Sequence, residues 1–413
     1  MGRFISALIP VMASLWGSLL LQAAAAAEGV GQPYAVNEYW FEQPVDHDAQ
    51  DAGTYRQQYF VLKPTRATVD SPVFFVLGNE TDTTSETLVS LHNIYGAPED
   101  MIFILSEHRG YGQSITSGDQ SKPSYVSVRS ALADYQRLIQ HLKNTYTGPW
   151  IVAGYSYGGA LAIHFGHHYP ESADVILSSS APIHWPFQMP EYAAQTRRNF
   201  GEAMADRMEA HFFELSRREA GADQWRDRAL LTSSTVGLAQ IEKFQYLLPY
   251  ISLLSYLPTP WFMGALDLAL PPEAYEWADT RALRQVTQEN AITGKYNWYT
   301  WKYQQCSELG TFWSEDFFHY EAAEHIQDCQ QTFGESPQYL ENTSWDVAGM
   351  LRNTSTRTVV VSGGKDPWMQ LGVKPDHDFR NIDFLYKAEG YHCPDRYDPE
   401  LAKEVMTRLR SHI

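Results

Sequence analysis

The sequence predicts one large α/β domain, built on a parallel β-sheet and carrying a helical insertion before its last strands. Short, continuous apolar runs alternate with helix-patterned segments over residues 28–184. Such runs are typical of strands buried on both faces, and their alternation with helices is typical of parallel sheets. The strand-like runs stop over residues 185–345 and return over residues 346–413. We therefore expect a first core part, a helical cap and a second core part with these boundaries.

Local patterns predict the individual elements. Four apolar runs predict strands in the first core part: Pro72–Leu77, Met101–Leu105, Trp150–Ala153 and Val175–Leu177. Residues 128–146 predict a helix, because apolar side chains recur there at helical spacing. In the second core part, Thr358–Ser362 and Ile382–Tyr386 predict strands, and residues 399–413 predict a closing helix.

The composition fits a globular protein and excludes two classes of partner. Apolar residues make up 44% and charged residues 19% of the 413 residues, which excludes a mainly disordered chain and a coiled coil. Lys and Arg number 31 against 49 Asp and Glu, giving a net charge of −18. Binding to nucleic acid or to an anionic membrane surface requires basic residues. We expect neither partner, and a homodimer stays open.

The N-terminus predicts a secretory signal peptide over residues 1–27. A basic start at Met1–Arg3 precedes an apolar run to Leu21, and alanines at 23–27 form a cleavage pattern. The alternative is an anchor helix, since the run approaches a bilayer-spanning length; the small-residue end favours cleavage. We expect secretion to an extracellular, periplasmic or lysosome-like compartment, without stable membrane insertion.

The most informative motif is Gly154-Tyr-Ser156-Tyr-Gly158, which lies between an apolar strand and a helix-patterned segment. In this setting a serine occupies a sharp strand-to-helix turn, and the glycines avoid clashes across it. The turn exposes the Ser156 hydroxyl as a nucleophile. It also directs the Tyr157 backbone N–H toward a developing oxyanion. The flanking strand and helix favour this interpretation over an ordinary turn.

A serine turn of this kind is typical of the α/β-hydrolase fold, in which an acid and then a histidine follow the serine along the chain. Asp366 follows a predicted strand and a glycine turn, and His392 follows the next strand and another glycine turn. We expect His392 to take the Ser156 proton and Asp366 to hold the imidazole tautomer. Three rival residues follow a proline and are interpreted as loop residues: Asp376, His377 and Asp378.

The loop after the strand that ends at Leu77 completes the predicted site. In this fold such a loop supplies the second oxyanion donor, here the backbone N–H of Asn79. We expect Glu80 to lie beside it, where its carboxylate could pair with a substrate amine. A histidine group on the helix after Ser156 lacks the further ligands that a metal needs. The sequence therefore predicts no metal and no organic cofactor.

A series of further segments extends the pattern in order through nearly the whole mature chain. They are Phe41–His47, Gly53–Phe60, Pro72–Glu80, Glu107–Ser114, Gly154–Gly159, Ser179–Ile183, Trp301–Gly310 and Asp366–Trp368. Together they resemble the prolyl carboxypeptidase and dipeptidyl peptidase II family of serine peptidases. The opening segment is similar also to the related bacterial tripeptidyl aminopeptidases.

This resemblance implies a secreted serine exopeptidase that cleaves peptides after proline near a terminus, with Ser156, Asp366 and His392 as its triad. It implies that Trp368 lines the proline pocket, since a flat aromatic face suits a pyrrolidine ring. Two alternatives stay open. One is a carboxylester hydrolase or lipase on the same fold, and the other is an inactive binding module.

The resemblance also concerns the three cysteines. Cys306 and Cys329 lie in segments that look like the disulfide-bearing region of the family, and an exported protein can keep such a bond. The resemblance implies that these two residues pair within the cap. Cys393, which follows His392, is then left as a free thiol.

Overall fold

The computed structural model describes residues 34–49, 52–116, 123, 125–218, 222–269, 295–335, 346–374 and 379–413. The predicted signal peptide, residues 1–27, lies outside this described part of the chain, and so do the rival residues 376–378. Within the described part, no helix combines the length and the apolarity that a bilayer crossing requires.

An eight-stranded sheet forms the centre of the fold. Its strands are β1 (Tyr34–Pro44), β2 (Thr54–Pro64), β3 (Val73–Val76), β4 (Ile102–Ser106), β5 (Trp150–Tyr155), β6 (Val175–Ser179), β7 (Arg357–Gly363) and β8 (Ile382–Lys387). They lie in the order β1-β2-β4-β3-β5-β6-β7-β8. Strands β3 to β8 are parallel to their neighbours among themselves, which confirms the predicted parallel sheet.

Helices accompany the sheet along the chain. Those of the core are α1 (Ser85–Ile94), α2 (Val128–Lys143), α3 (Tyr157–His168), α12 (Val347–Asn353) and α13 (Pro399–Arg410). Between β6 and α12 the described α-helices are α4 (Pro190–Phe200), α5 (Glu202–Ser216), α6 (Ala222–Gln240), α7 (Leu248–Leu254), α8 (Thr259–Ala269), α9 (Lys295–Gln304), α10 (Glu315–Phe318) and α11 (Ala322–Phe333). A 3₁₀ helix over Glu242–Leu247 and a π-helix over Gln305–Leu309 lie among them. The predicted α/β class with inserted helices is confirmed. The domain boundaries at residues 184 and 345 stay predictions.

Helices cover both faces of the sheet because successive side chains of a strand point to opposite sides. Phe75 and Val152 pack with residues of α2, α3 and α12 on one face. Their neighbours Phe74 and Ile151 pack with residues of α1 and α13 on the other face. All four side chains are fully buried, and each such burial is worth roughly 1.5–3 kcal/mol. Burial on both faces explains why these strands are continuously apolar.

The antiparallel hairpin of β1 and β2 does not follow from the apolar runs. Its strands mix polar and apolar residues, and β1 is largely half-buried or exposed at the edge of the sheet. The buried polar side chains of the hairpin bond to one another instead. Gln43 Nε2 donates to Gln57 Oε1 at 2.8 Å, and Gln57 Nε2 donates to the Glu107 carbonyl at 2.8 Å.

The inserted helices have an apolar core of their own. Side chains of α4 to α8 and α10 form it, among them Met208 and Phe212. Leu371, which follows β7, belongs to the same cluster, and Trp368 packs against it. The inserted helices and the turn after β7 are therefore one packed unit. Elsewhere among these helices, Cys306 and Cys329 form a disulfide with their Cα atoms 5.4 Å apart.

Candidate active site

Ser156 occupies the junction between β5 and α3 in a strained backbone conformation. Its φ is 57° and its ψ is −126°, a region that costs a non-glycine residue about 1–3 kcal/mol. The Ser156 N–H donates to the Ser179 carbonyl at 2.8 Å. A Cβ added at Gly154 would lie 1.8 Å from the Gly158 carbonyl oxygen. Only glycine therefore fits at position 154 while this turn is formed.

The loop after β3 lies against the first turn of α3. A Cβ added at Gly158 would be 3.4 Å from the Asn79 Cβ and 3.5 Å from the Leu77 carbonyl oxygen. Tyr157, the first residue of α3, precedes Gly158 directly. The two residues expected to supply oxyanion donors, Asn79 and Tyr157, therefore belong to segments in close contact. An N–H at a helix N-terminus is suited to stabilising a developing negative charge.

Asp366 and His392 are hydrogen-bonded to each other. Asp366 is fully buried after β7, and its Oδ2 lies 2.9 Å from His392 Nδ1. Its Oδ1 accepts the Trp368 backbone N–H at 2.9 Å. This second bond fixes the carboxylate, so the imidazole is held in one orientation with Nε2 directed away from Asp366.

The turns that carry Ser156 and His392 meet at the end of β6. The parallel strands β5, β6, β7 and β8 are successive neighbours, so their carboxyl ends lie along one edge of the sheet. The Ser179 carbonyl, which accepts from Ser156, also lies 3.9 Å from Cys393 Sγ. The Cys393 N–H donates to Ser180 Oγ at 2.8 Å.

The electrostatic setting of His392 favours its protonated form. Burial alone would lower the pKa of the imidazole, but the Asp366 carboxylate, with a contribution from Cys393, raises that pKa well above its ordinary value. A neutral His392 accepts a proton readily, and the resulting imidazolium is stabilised by the buried carboxylate.

Glu80 carries a buried oxygen without a hydrogen-bond partner in the described part of the chain. The atom is Oε2, and burial raises the pKa of this carboxyl. Glu80 follows Asn79 directly and is close enough to His392 for the two charges to interact. An acceptor left unsatisfied in a buried position costs free energy. A donor from a bound molecule would remove that cost.

Trp368 belongs to a group of aromatic side chains beside the Asp366 turn. Its ring centroid lies 5.0 Å from that of Tyr192 and 6.4 Å from that of Trp313. Trp368 is half-buried. Trp313 is also half-buried, whereas Tyr192 is fully buried, so Trp368 and Trp313 are the members of this group with partly exposed rings.

Gln240, the last residue of α6, is a site residue that the sequence does not reveal. Its Oε1 accepts from Trp368 Nε1 at 2.9 Å and from the Tyr192 hydroxyl at 3.1 Å. Its carbonyl accepts the His392 N–H at 3.0 Å. Gln240 thus joins the inserted helices to the turn that carries Asp366 and Trp368 and to the turn that carries His392. A single glutamine in a helix-patterned segment carries no motif that could have identified it.

The polar residues after β4 have structural partners. Arg109 is fully buried and pairs with Asp134, with Nε 2.6 Å from Oδ2. Tyr55 donates its hydroxyl to the same Asp134 oxygen at 2.6 Å. Glu107 accepts the backbone N–H groups of Thr83 and Ser114, which joins the loop after β3 to the loop after β4.

A parallel sheet that carries a serine on a strained turn before a helix, with an acid and a histidine after its last two strands, defines the α/β-hydrolase class. Comparison of the sequence with family models is more specific. The model of serine carboxypeptidase S28 matches residues 43–218 and 274–410. The chain belongs to this family.

Individual relatives show more limited similarity. The human lysosomal Pro-X carboxypeptidase is 33% identical over 198 residues, which are 44% of this chain and 38% of that protein. The thymus-specific serine protease of Mus musculus is 34% identical over 163 residues, 38% of this chain and 32% of that protein. A probable serine protease of Arabidopsis thaliana, EDA2, is 23% identical over 80% of this chain and 75% of its own length. The matches to the first two relatives span less than two fifths of their length.

The effect of the Asp366 charge on the pKa of His392 can be tested by substitution. Asp366→Asn removes the charge that raises the imidazole pKa and leaves the burial that lowers it. We expect the pKa of His392 to fall, as measured by NMR titration of labelled histidine.

Asp383→Asn is the matched control, because it removes the carboxylate 2.7 Å from His412 and leaves Asp366 intact. It should leave the His392 pKa unchanged. An unchanged His392 pKa in Asp366→Asn would contradict the electrostatic explanation.

Proposed function

We propose that this protein is a serine peptidase in which Ser156, His392 and Asp366 act as a catalytic triad. The observation that carries the proposal is the Asp366–His392 bond of 2.9 Å, formed at the sheet edge where the strained Ser156 turn lies. Membership of the serine carboxypeptidase S28 family supports the same chemistry.

The proposed reaction proceeds through an acyl-enzyme. His392 Nε2 takes the proton of the Ser156 hydroxyl as its oxygen attacks the substrate carbonyl carbon. The imidazolium then returns that proton to the leaving amine, and the peptide bond breaks. His392 then takes a proton from water as that water attacks the acyl carbon. It returns the proton to Ser156 Oγ as the ester bond breaks, which releases the acid and regenerates the free serine. The backbone N–H groups of Tyr157 and Asn79 stabilise the oxyanion in both halves.

We further propose that the substrate residue on the acyl side of the cleaved bond is proline. The partly exposed rings of Trp368 and Trp313 support this proposal, since flat, rigid rings suit a pyrrolidine that has no N–H to satisfy. A relative whose name specifies a Pro-X carboxypeptidase supports it independently.

Cleavage is proposed to take place near a free peptide terminus. The hydrogen bonds of Gln240 join the inserted helices to the turns that carry Trp368 and His392. These helices therefore form one wall of the proposed site. The unsatisfied Glu80 oxygen supports binding of the substrate α-ammonium group. A buried ammonium–carboxylate pair would favour release of short fragments from the N-terminal end.

The protein is proposed to act after export. The signal-peptide pattern of residues 1–27 supports secretion, and a relative named lysosomal supports an exported or lysosome-like compartment. The Cys306–Cys329 disulfide fits an oxidising environment.

Ser156→Ala tests the nucleophile. We expect the variant to fold but to lose kcat by roughly 10⁴–10⁶-fold, because only binding and oxyanion stabilisation remain. Labelling by a fluorophosphonate, read by intact-mass spectrometry, should disappear with the activity. Ser172→Ala, at a buried serine just after α3, is the control and should keep both the activity and the labelling. More than a few per cent of wild-type kcat in purified Ser156→Ala would exclude this serine.

Paired substrates test the proline pocket. Dipeptidyl nitroanilides with proline beside the cleaved bond should have kcat/KM about ten- to two-hundredfold above their alanine counterparts, the discrimination that one apolar ring provides. Trp368→Ala should lower kcat/KM for the proline substrate more than kcat/KM for the alanine substrate, so the proline preference should shrink. Absence of a proline preference, together with faster turnover of a fatty-acyl nitrophenyl ester, would support a carboxylester hydrolase instead.

Blocked peptides test Glu80. Acetylation of the substrate N-terminus should lower kcat/KM by about ten- to a hundredfold, the worth of a hydrogen bond to a charged group. In Glu80→Gln the free and acetylated peptides should be cleaved at similar rates. The products are identified by mass spectrometry. Release of single residues from the C-terminus, with equal rates for blocked and free peptides, would refute the amine-binding role and support a carboxypeptidase.

A further inference from the structure

Three non-glycine residues with left-handed backbones lie on the turns that meet at the site. They are Ser156 with φ 57°, Ser180 with φ 50° and Cys393 with φ 52°. These turns follow β5, β6 and β8. Each such residue costs about 1–3 kcal/mol and persists only where the surrounding structure holds it. The three turns therefore need a strong set of contacts that keeps them in place together.

A buried carboxylate beyond the third turn supplies such contacts. Asp395 lies three residues after His392, in the short helical turn Pro394–Arg396, and is fully buried. Its Oδ1 accepts the Ser179 hydroxyl at 2.5 Å. Its Oδ2 accepts the Tyr95 hydroxyl at 2.6 Å. Burial raises the pKa of this carboxyl, and the two hydroxyl donors act against the rise.

The chain of hydrogen bonds continues to the residue before the serine. The Tyr155 hydroxyl donates to the Tyr95 hydroxyl at 2.9 Å, and Tyr155 precedes Ser156 directly. The Arg396 guanidinium lies over the Tyr155 ring, 5.2 Å from its centroid. Starting from Asp395, one branch of bonds therefore reaches the β5 end of the Ser156 turn.

The other branch reaches the same turn from β6. Ser179 donates its hydroxyl to Asp395, and its carbonyl accepts the Ser156 N–H at 2.8 Å. Ser180, the next residue, accepts the Cys393 N–H. The two branches close a ring around the Ser156 and His392 turns. Asp395 is the member of this ring that accepts two bonds and donates none.

We infer that Asp395 is a positioning residue, whose carboxylate fixes the distance between the Ser156 hydroxyl and the His392 imidazole. The inference rests on the proposed function, since it assigns to these two residues the roles of nucleophile and base. Asp395 bonds only to other protein groups in the described part of the chain, so its effect on the reaction acts through the two turns. Displacement of a catalytic group by about 1 Å can cost about a hundredfold in rate.

The decisive comparison is between two tyrosines that make the same kind of buried bond. Tyr95→Phe removes a hydroxyl donated to Asp395 at 2.6 Å, and Tyr55→Phe removes one donated to Asp134 at 2.6 Å. Both should lower the melting temperature, because each leaves a buried carboxylate one donor short, and Tyr95→Phe also removes the acceptor of the Tyr155 hydroxyl. Only Tyr95→Phe should lower kcat, by about tenfold, with KM changed less than twofold.

Asp395 variants extend the test. Asp395→Ala should lower kcat by about a hundredfold, and Asp395→Asn, which keeps one acceptor oxygen, should recover part of the loss. The rate of fluorophosphonate labelling should fall in parallel, at a temperature where circular dichroism shows each variant to be folded. If Asp395→Ala does not fold, Tyr95→Phe and Asp395→Asn decide the outcome.

The inference and the proposed function fail in different ways. If Ser156→Ala remains active, the proposed nucleophile is wrong whatever Asp395 does. If Ser156→Ala is inactive but folded Tyr95→Phe and Asp395→Asn keep wild-type kcat and labelling rates, only the positioning role is refuted. It is also refuted if Tyr55→Phe lowers kcat as much as Tyr95→Phe, because the loss would then be a general effect of stability.

Discussion

The hydrogen bond from the Ser156 N–H to the Ser179 carbonyl holds together the part of the molecule on which the chemistry depends. It joins the turn after β5 to the end of β6, and it allows Ser156 to keep a backbone conformation that would otherwise relax. The packing at Gly154 imposes the same constraint sterically, since any side chain there would overlap the Gly158 carbonyl. The sheet brings four strand ends to one edge, and this bond fixes the geometry within that edge.

The inserted helices and the sheet hold the Asp366 turn from two sides. Leu371 shares the apolar core of the inserted helices, and Gly372 pairs with Pro182 after β6. Gln240 adds polar bonds to Trp368 and to the His392 backbone. A change in the inserted helices would therefore affect the acid and the base as well as the shape of the cleft.

The sequence predicts those parts of the fold and site that depend on local patterns. Continuous apolar runs predict the parallel strands because both faces are buried, and Gly154 predicts the turn because only glycine fits there. At Gly158 the expected clash is absent, since an added Cβ would make only ordinary contacts. The hairpin of β1 and β2 lacks this signal, since buried glutamines such as Gln57 take the place of apolar residues. Contacts between distant residues leave no local pattern. Tyr95 and Asp395 are 300 residues apart in the chain, and neither neighbourhood indicates the other.

Strand β8 has a single neighbour, because it is the last strand of the described sheet. Its side chains are mostly half-buried or exposed, in contrast to the fully buried β5 and β6. The free energy of local opening is lower for a terminal strand than for a central one, so the backbone amides of a terminal strand exchange with solvent faster. The imidazole of His392 follows this strand, whereas the hydroxyl of Ser156 follows β5, a fully buried strand with a neighbour on each side. Loss of proton transfer through local opening of the edge would then precede unfolding of the sheet, so the working temperature limit of the protein would lie below its melting temperature.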